Sequence, residues 1–365
     1  MKKVLVFGYS FPIGGIENYL LNLREELKSE VDFSYIVEDE GADRASKADP
    51  SFIIIPKARD SIKEYAKQLS SVLKSQRKDI DVFYANISNF KIENYIALRL
   101  ALHYQYRIVV HAHAAMGNEI QGLLHKLIHS FILHRCGNIV SKASVKRLAV
   151  SEKAGQYLYQ GKSFEVVVPG IWTDKFRFDD ALRTAYREKL SLTDCIVLGF
   201  AGRLVSVKNP LFLIDILSEL KARGQNARLL VLGDGDLKDE MLKKAAALKV
   251  SDLMTLTGAV SNVQDYMQAM DILLAPSFSE GLGMFVVEAQ SSGLPCICAK
   301  GNIPESVNVT GEVVYEALQA GPKVWCDDII SVLSKSRDRV GMNEKAEKTD
   351  FNIKNSARRL LNSFK

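Results

Sequence analysis

The chain has 365 residues, 47% of them apolar and 25% charged, with a formal net charge of +5. That length accommodates two domains of ordinary size, each burying its own core, and the composition is that of a soluble globular protein. The basic excess is mild and spread over mixed-sign segments such as KARDSIKEYAKQ, which argues against nucleic acid as the main partner and leaves acidic small molecules or an anionic membrane surface open.

The N-terminus, MKKVLVFGYSFPIGG, offers only a short apolar run before proline and glycine, too little for a secretory core. No stretch approaches the roughly 20 apolar residues of a membrane span, so a cytoplasmic protein is expected. The five cysteines (Cys136, Cys195, Cys296, Cys298, Cys326) are odd in number and lie in apolar or helical contexts. They predict no disulfide framework and a reducing compartment. Cys296 and Cys298 lie in one short apolar strand, a setting that suits core packing better than a shared metal.

Residues 4–9, 33–38, 52–56, 81–87, 107–113, 147–151 and 164–169 read as strands buried on both faces. Helical patterns lie between several of them: IENYLLNLREELKS, SIKEYAKQLSSVLKSQ and NYIALRLALHY. This is the repetition of a doubly wound α/β sheet. After the first strand, Gly14 and Gly15 precede a helix starting near Ile16, a place where an anion or a sugar can approach the backbone.

His111 and His113 share one face of RIVVHAHAAMG. Paired histidines suggest a metal, yet no carboxylate or cysteine follows at suitable spacing, so core or cleft histidines are expected. His125 and His129 share a helix face in EIQGLLHKLIHSFILHR, without the glutamate that follows the first histidine of a zincin site. A solvated or membrane-facing stripe fits better, and the region 119–147 either rests on anionic lipid or packs on the sheet.

A polar segment, TDKFRFDDALRTAYREKLSLTD, interrupts the alternation, which then restarts. CIVLGFAGR, ARLLVLGDG, MTLTGAV, DILLAPS and PCICAK read as strands; LFLIDILSELKARG, LKDEMLKKAAALK, NVQDYMQAM and FVVEAQSSG read as helices. Two Rossmann-like domains follow, residues 1–172 and 173–345. The amphipathic helix in 346–365 caps the second or crosses back to the first. Two facing sheets of this kind place a ligand cleft at their strand carboxyl ends.

The loops after the second set of strands hold the unusual residues. Arg203 and Lys208 follow one strand, ahead of a helix starting near Pro210; an arginine fork and a lysine point charge beside helical N–H groups suit a diphosphate. Gly233 and Gly235 lack a third glycine, because residue 238 is lysine, so a nicotinamide site is not expected, though the turn can admit a base or ribose. Strand DILLAPS delivers Ser277 to Glu280, then Gly281, Leu282 and Gly283 turn the chain into a helix from which Glu288 projects. Carboxylates accept hydrogen bonds from vicinal diols, so ribose and hexose hydroxyls are natural partners. Asp79 and Asp81 precede their strand, and Asp234 and Asp236 lie in the glycine turn, so neither pair reads as a metal site.

Taken in order, GGIE, AGRLVSVKNP, VLGDGDL, LTGAVSNV and SFSEGLGMFVVEAQSSGLPCI resemble the family 4 glycosyltransferases of the GT-B fold over nearly the whole chain. The element with Glu280 and Glu288 separated by seven residues is the most specific part. The resemblance implies two facing Rossmann-like domains, an acceptor held by the first and a nucleotide sugar by the second. It also implies retention of anomeric configuration, with no metal or other cofactor. Residue by residue, it implies that Arg203 and Lys208 neutralise the donor diphosphate, Glu280 touches the transferred sugar and Glu288 the ribose. Gly14 and Gly15 would border diphosphate and acceptor, with Gly233, Gly235, Gly281, Leu282 and Gly283 completing the donor site. His113, or His111, would be the active-site histidine. A UDP-sugar is the favoured donor, a glycan or lipid-linked saccharide the acceptor, and polysaccharide or capsule assembly the setting, with peripheral membrane association open.

Two departures stand out. VPGIWTDKF carries Pro169 and Trp172 where relatives often have asparagine and aspartate, and Asn209 replaces a common glycine. Rival readings are a GT-B epimerase and a catalytically silent sugar-binding subunit; the latter would be expected to lack Arg203, Lys208 or Glu280, and all three are present.

Overall fold

The computed structural model describes residues 1–10, 14–39, 49–113 and 123–365, with side chains for all of these except 123–129. The chain forms two units: residues 1–171 with 353–365, and residues 172–352.

The first unit runs β1 (Lys2–Phe7), α1 (Gly15–Glu26), β2 (Val31–Glu38), β3 (Phe52–Ile55), α2 (Ile62–Gln76), β4 (Val82–Ile87), α3 (Ile92–His103), β5 (Arg107–Ala112), α4 (Leu123–Val140), β6 (Val145–Ala149), α5 (Glu152–Tyr159) and β7 (Glu165–Val166). Its sheet has the order β3-β2-β1-β4-β5-β6-β7, and every pairing is parallel. Apolar runs form these strands because helices cover both faces: Val4, Leu5, Val6, Val82, Phe83 and Tyr84 are fully buried.

The second unit runs α6 (Asp180–Lys189), β8 (Ile196–Ala201), α7 (Pro210–Ala222), β9 (Ala227–Leu232), α8 (Lys238–Ala247), β10 (Met254–Gly258), α9 (Val263–Ala269), β11 (Ile272–Ala275), α10 (Met284–Ser291), β12 (Cys296–Ala299), β13 (Val313–Glu316), α11 (Gly321–Leu333) and α12 (Arg339–Glu347). Its sheet order is β10-β9-β8-β11-β12-β13, again parallel throughout. Leu198, Phe200, Leu217, Leu229 and Trp325 fill one core layer. The polar segment before β8 contains a helix, α6, which ties itself to α9 through Tyr186 and Tyr266 and to Asp271 through Arg183 and Arg187.

The last helix, α13 (Ile353–Ser363), belongs to the first unit, and the chain returns at 353 instead of 346 because α12 still packs on α10. Ile353 donates its N–H to the Ile171 carbonyl, and Ser356 Oγ donates to the Val168 carbonyl at 2.6 Å. Gly170 makes this docking fit: a Cβ there would sit 2.6 Å from Ile353 Cα. Among the described residues no helix is long and apolar enough to cross a membrane. His125 and His129 lie outside the described side chains. Cys136, Cys296, Cys298 and Cys326 are buried thiols, and Cys195 is half-buried.

In each sheet the strand order reverses once, between β1 and β4 and between β8 and β11. Loops leaving the carboxyl ends at such a reversal diverge and leave room for a ligand.

Candidate functional site

At the reversal in the second unit, β8 leads into Gly202 and Arg203, and β9 leads into Gly233 and Gly235. Gly233 has φ +149°, and a Cβ on it would meet the Gly202 carbonyl oxygen at 1.9 Å; one on Gly235 would meet the Leu204 carbonyl oxygen at 2.6 Å. The two loops therefore lie backbone on backbone, joined by Leu204 N–H to Asp234 O and Leu237 N–H to Leu204 O, both 2.9 Å. Only glycine permits that approach. The sequence reading gave these glycines to a base or ribose, whereas their close neighbour is the loop that carries Arg203. Arg203 itself is exposed, and its side chain has no partner among the described residues.

A 3-10 turn over 206–208 then places Lys208, and Asn209 closes it with φ +52°. Asparagine tolerates that left-handed conformation better than most residues, so the replacement of glycine keeps the turn. Pro210 starts α7, where its missing N–H costs nothing.

The loop after β11 meets this turn: Phe278 N–H donates to the Val207 carbonyl at 2.8 Å. The contact brings Glu280 to Lys208, with Lys208 Nζ 2.5 Å from Glu280 Oε1 and both side chains largely buried. Ser277 Oγ donates to the same oxygen at 2.7 Å. Lys208 also lies 4.8 Å from the centre of the Phe285 ring. Asn302, after β12, fixes the loop from the other side, donating to the Ser277 carbonyl and accepting from Glu280 N–H at 3.1 Å each. The sequence reading did not single out Asn302 or Phe285; their place follows from β12 lying beside β11, which no local pattern encodes.

Gly281 and Leu282 lead to Gly283, whose φ of +82° caps α10. No side chain caps this helix and its first turn holds no acid, so its leading N–H groups and positive dipole end stay available to an anion. Glu288 projects from the second turn, half-buried, its carboxylate without a hydrogen-bond partner among the described residues. Burial pushes its carboxyl up to about 7. Gln290 anchors the same helix, donating to the Val286 and Val307 carbonyls and accepting from both the Thr310 N–H and its hydroxyl.

The first unit builds a different floor. Gly8, after β1, has φ +91°, and a Cβ there would lie 2.1 Å from the Asn86 carbonyl oxygen at the end of β4. His113 follows β5, and its Nε2 lies 2.8 Å from Asn86 Oδ1. Because that oxygen only accepts, the proton sits on Nε2 and Nδ1 is left without a partner among the described residues. Burial, with His111 alongside at 4.6 Å between ring centres, holds His113 neutral well below its ordinary value. His111 is wholly buried: its Nε2 donates to the Val167 carbonyl at 2.8 Å and its Nδ1 accepts from the Tyr84 hydroxyl at 2.7 Å. Both its nitrogens are spent, and burial lowers it to about 4.

Gly14 and Gly15 start α1. Neither has a positive φ, and a Cβ on Gly15 would meet nothing within 4 Å. Glu17, at 7% exposure, reaches back to accept the Gly14 N–H at 3.0 Å and the Ser10 hydroxyl at 2.8 Å. A carboxylate thus already stands at the start of α1.

Comparison with known proteins bears on both units. Residues 183–349 match the family Glycosyl transferases group 1. EpsF of Bacillus subtilis (strain 168), which carries a glycosyltransferase name, is 30% identical over 200 residues, 52% of this chain and 51% of EpsF. The D-inositol 3-phosphate glycosyltransferase of Segniliparus rotundus is 31% identical over 188 residues, 49% of this chain and 41% of that protein. The chain thus spans about half the length of these relatives or less. The crystal structure of Anabaena HepE with UDP and glucose superposes with a TM-score of 0.77 at 17% identity, covering 100% of this chain and 99% of that one. WaaG, involved in lipopolysaccharide biosynthesis, gives 0.70 at 19% identity over 95% and 96%. The fold is GT-B, with two parallel-sheet Rossmann-like units, and the matches support a glycosyltransferase.

Proposed function

We propose that the chain is a retaining glycosyltransferase that moves a sugar from a nucleotide donor, UDP-linked by preference, to a glycan or lipid-linked saccharide, without a metal ion. The observation that carries this reading is the Lys208–Glu280 pair beside the uncapped start of α10. The named activities of the relatives agree with it, as does the UDP bound in the Anabaena neighbour. The second unit takes the donor and the first the acceptor.

Cleaving a glycosyl phosphate releases a diphosphate anion while positive charge grows on the sugar. Preorganised cations and helix N–H groups stabilise the departing anion, so no proton need be delivered to it. Lys208, Arg203 and the first turn of α10 supply that charge. Glu280 holds Lys208; when a diphosphate takes the ammonium, the carboxylate is released to accept sugar hydroxyls. Glu288 takes the ribose diol. His113, neutral and with Nδ1 unused, is a hydrogen-bond acceptor for the reacting sugar, a task His111 is not free to perform. Glu280 and Glu288 project toward hydroxyls in this scheme, unlike the flanking acid pair of a hydrolase. Membrane-surface association and a role in polysaccharide assembly complete the proposal.

The first test is binding followed by thermal shift against UDP, GDP, ADP and their sugars, with EDTA and then with Mg²⁺. Stabilisation by one nucleotide family in EDTA, with release of that nucleotide when a saccharide acceptor is added, is the expected result. Stabilisation by none of them would sink the donor assignment.

A further inference from the structure

A cavity of about 420 Å³ opens at the carboxyl ends of β1, β2 and β3 in the first unit and reaches the start of α3. That volume lies within the roughly 300–1,000 Å³ of small-molecule sites. Two of its polar groups are orphans. The Tyr65 hydroxyl is fully buried and has no hydrogen-bond partner among the described residues, and neither does the buried Oε2 of Glu93. Such groups normally cost stability unless something supplies the missing bond. Burial and the nearby Glu38 and Glu93 carboxylates raise the Tyr65 hydroxyl above its ordinary range, so it stands as a neutral donor among acceptors.

The rest of the lining narrows the ligand. Glu38 and Glu93 oppose a phosphate or carboxylate; Arg59 and Lys91 oppose an ammonium. Phe7 and Tyr9, at 7% and 4% exposure, form an apolar wall. A hydroxyl-rich ring with one C–H face meets all of these conditions. Gly8, which lines the cavity, lies on the Asn86 carbonyl, and Asn86 Oδ1 is the partner of His113 Nε2, so cavity wall and histidine are both tied to the end of β4.

The geometry points to a binding site for a neutral pyranose, held by the Tyr65 hydroxyl and the Glu93 carboxylate against Phe7 and Tyr9. It rests on the transfer reading for the ligand's role, which is to hold a sugar of the acceptor; the cavity itself belongs to the first unit alone. An acceptor recognised here is uncharged at this ring.

The test uses the full chain, titrated by calorimetry and saturation-transfer NMR with methyl glycosides of glucose, galactose, mannose and N-acetylglucosamine, and separately with UDP. At least one glycoside is expected to bind, and Tyr65→Phe and Glu93→Gln are each expected to weaken it about tenfold or more while UDP affinity is unchanged. Tyr65→Phe should keep or raise the melting temperature, since it removes an unpaired buried hydroxyl; a purely structural hydroxyl would instead lower it and leave glycoside binding alone. UDP binding without any glycoside binding, or glycoside affinity untouched in both variants, overturns the pyranose site and spares the donor reading. Glycoside binding without any nucleotide binding upholds the site and overturns the transfer reading. Binding of neither overturns both.

Discussion

The helix after β1 begins with its own carboxylate, Glu17, bonded to the Gly14 N–H, whereas α10 in the second unit begins with an uncapped glycine and has Lys208 beside its loop. Both starts are glycine-containing turns at a sheet reversal, and both would pass for anion sites in sequence. The first is already satisfied by a negative charge and repels another; the second has spare N–H groups and a lysine that a phosphate can take from Glu280. An acid in the first turn of a helix complements its dipole, so one kind of glycine turn suits neutral hydroxyls where the acid is present and, in the proposed scheme, a diphosphate where it is absent.

The sharpest break of this contrast is at the ion pair. Lys208→Ala should cut transfer by about 10²–10³-fold, the usual loss for one preorganised charge at a departing anion, and should weaken UDP binding. Glu280→Gln should cut transfer comparably yet leave UDP bound as tightly or more tightly, since it releases Lys208. Steady-state rates and UDP titration read the split. Equal loss of UDP affinity in both variants would mean that the pair acts as one structural unit.

The glycine turns give the next largest contrast. Gly233→Ala forces a Cβ into the Gly202 carbonyl at a strained φ, and should cost more than about 2 kcal/mol and lower the melting temperature by several degrees. The Arg203 loop shifts with it, so UDP affinity should fall as well. An unchanged melting temperature would show that the two loops can separate.

The legibility of the sequence divides along similar lines. The parallel sheets were legible because strands buried on both faces read as continuous apolar runs. β13 was not, since VVYE is only four residues and half-exposed along most of its length. Lys208 and Glu280 were legible as residue types at strand ends. Their contact was not, because they are 72 positions apart and meet only because β8 pairs with β11. The backbone neighbour of Gly233 and Gly235 was not legible for the same reason: the carbonyls that need their room belong to another loop. Alternation put His111 and His113 on one face, but depth separates them, and depth depends on Tyr84 and Val167 from two other segments.

Glu288 sharpens the comparison through pH. Its carboxyl stands at about 7 in the folded chain against an ordinary 4.5. The folded state therefore holds a proton that the unfolded state has released between these values, and stability falls as pH rises from about 4.5 through 7. Because the group is half-buried, the loss is on the order of 2 kcal/mol. Glu288→Gln should flatten this part of the stability profile and be more stable than the parent at pH 8. Binding of UDP, whose ribose hydroxyls favour the ionised form, should release protons at pH 6 in the parent and fewer in the variant, a difference that calorimetry in buffers of different ionisation enthalpy detects.

The smallest effect on stability falls on Gly15. A methyl there meets nothing within 4 Å and the backbone is helical, so Gly15→Ala should leave the melting temperature unchanged or raise it, by up to about 0.5 kcal/mol in stability. Open space above a helix start that needs no glycine has one use in this scheme, the close approach of a substrate to the backbone. The added methyl should then raise the acceptor KM several-fold while UDP affinity holds, the reverse of the Lys208→Ala pattern. If acceptor kinetics are indifferent to it, the start of α1 is only a capped helix, and the acceptor must be held wholly by groups farther along the sheet, such as Tyr65 and Glu93.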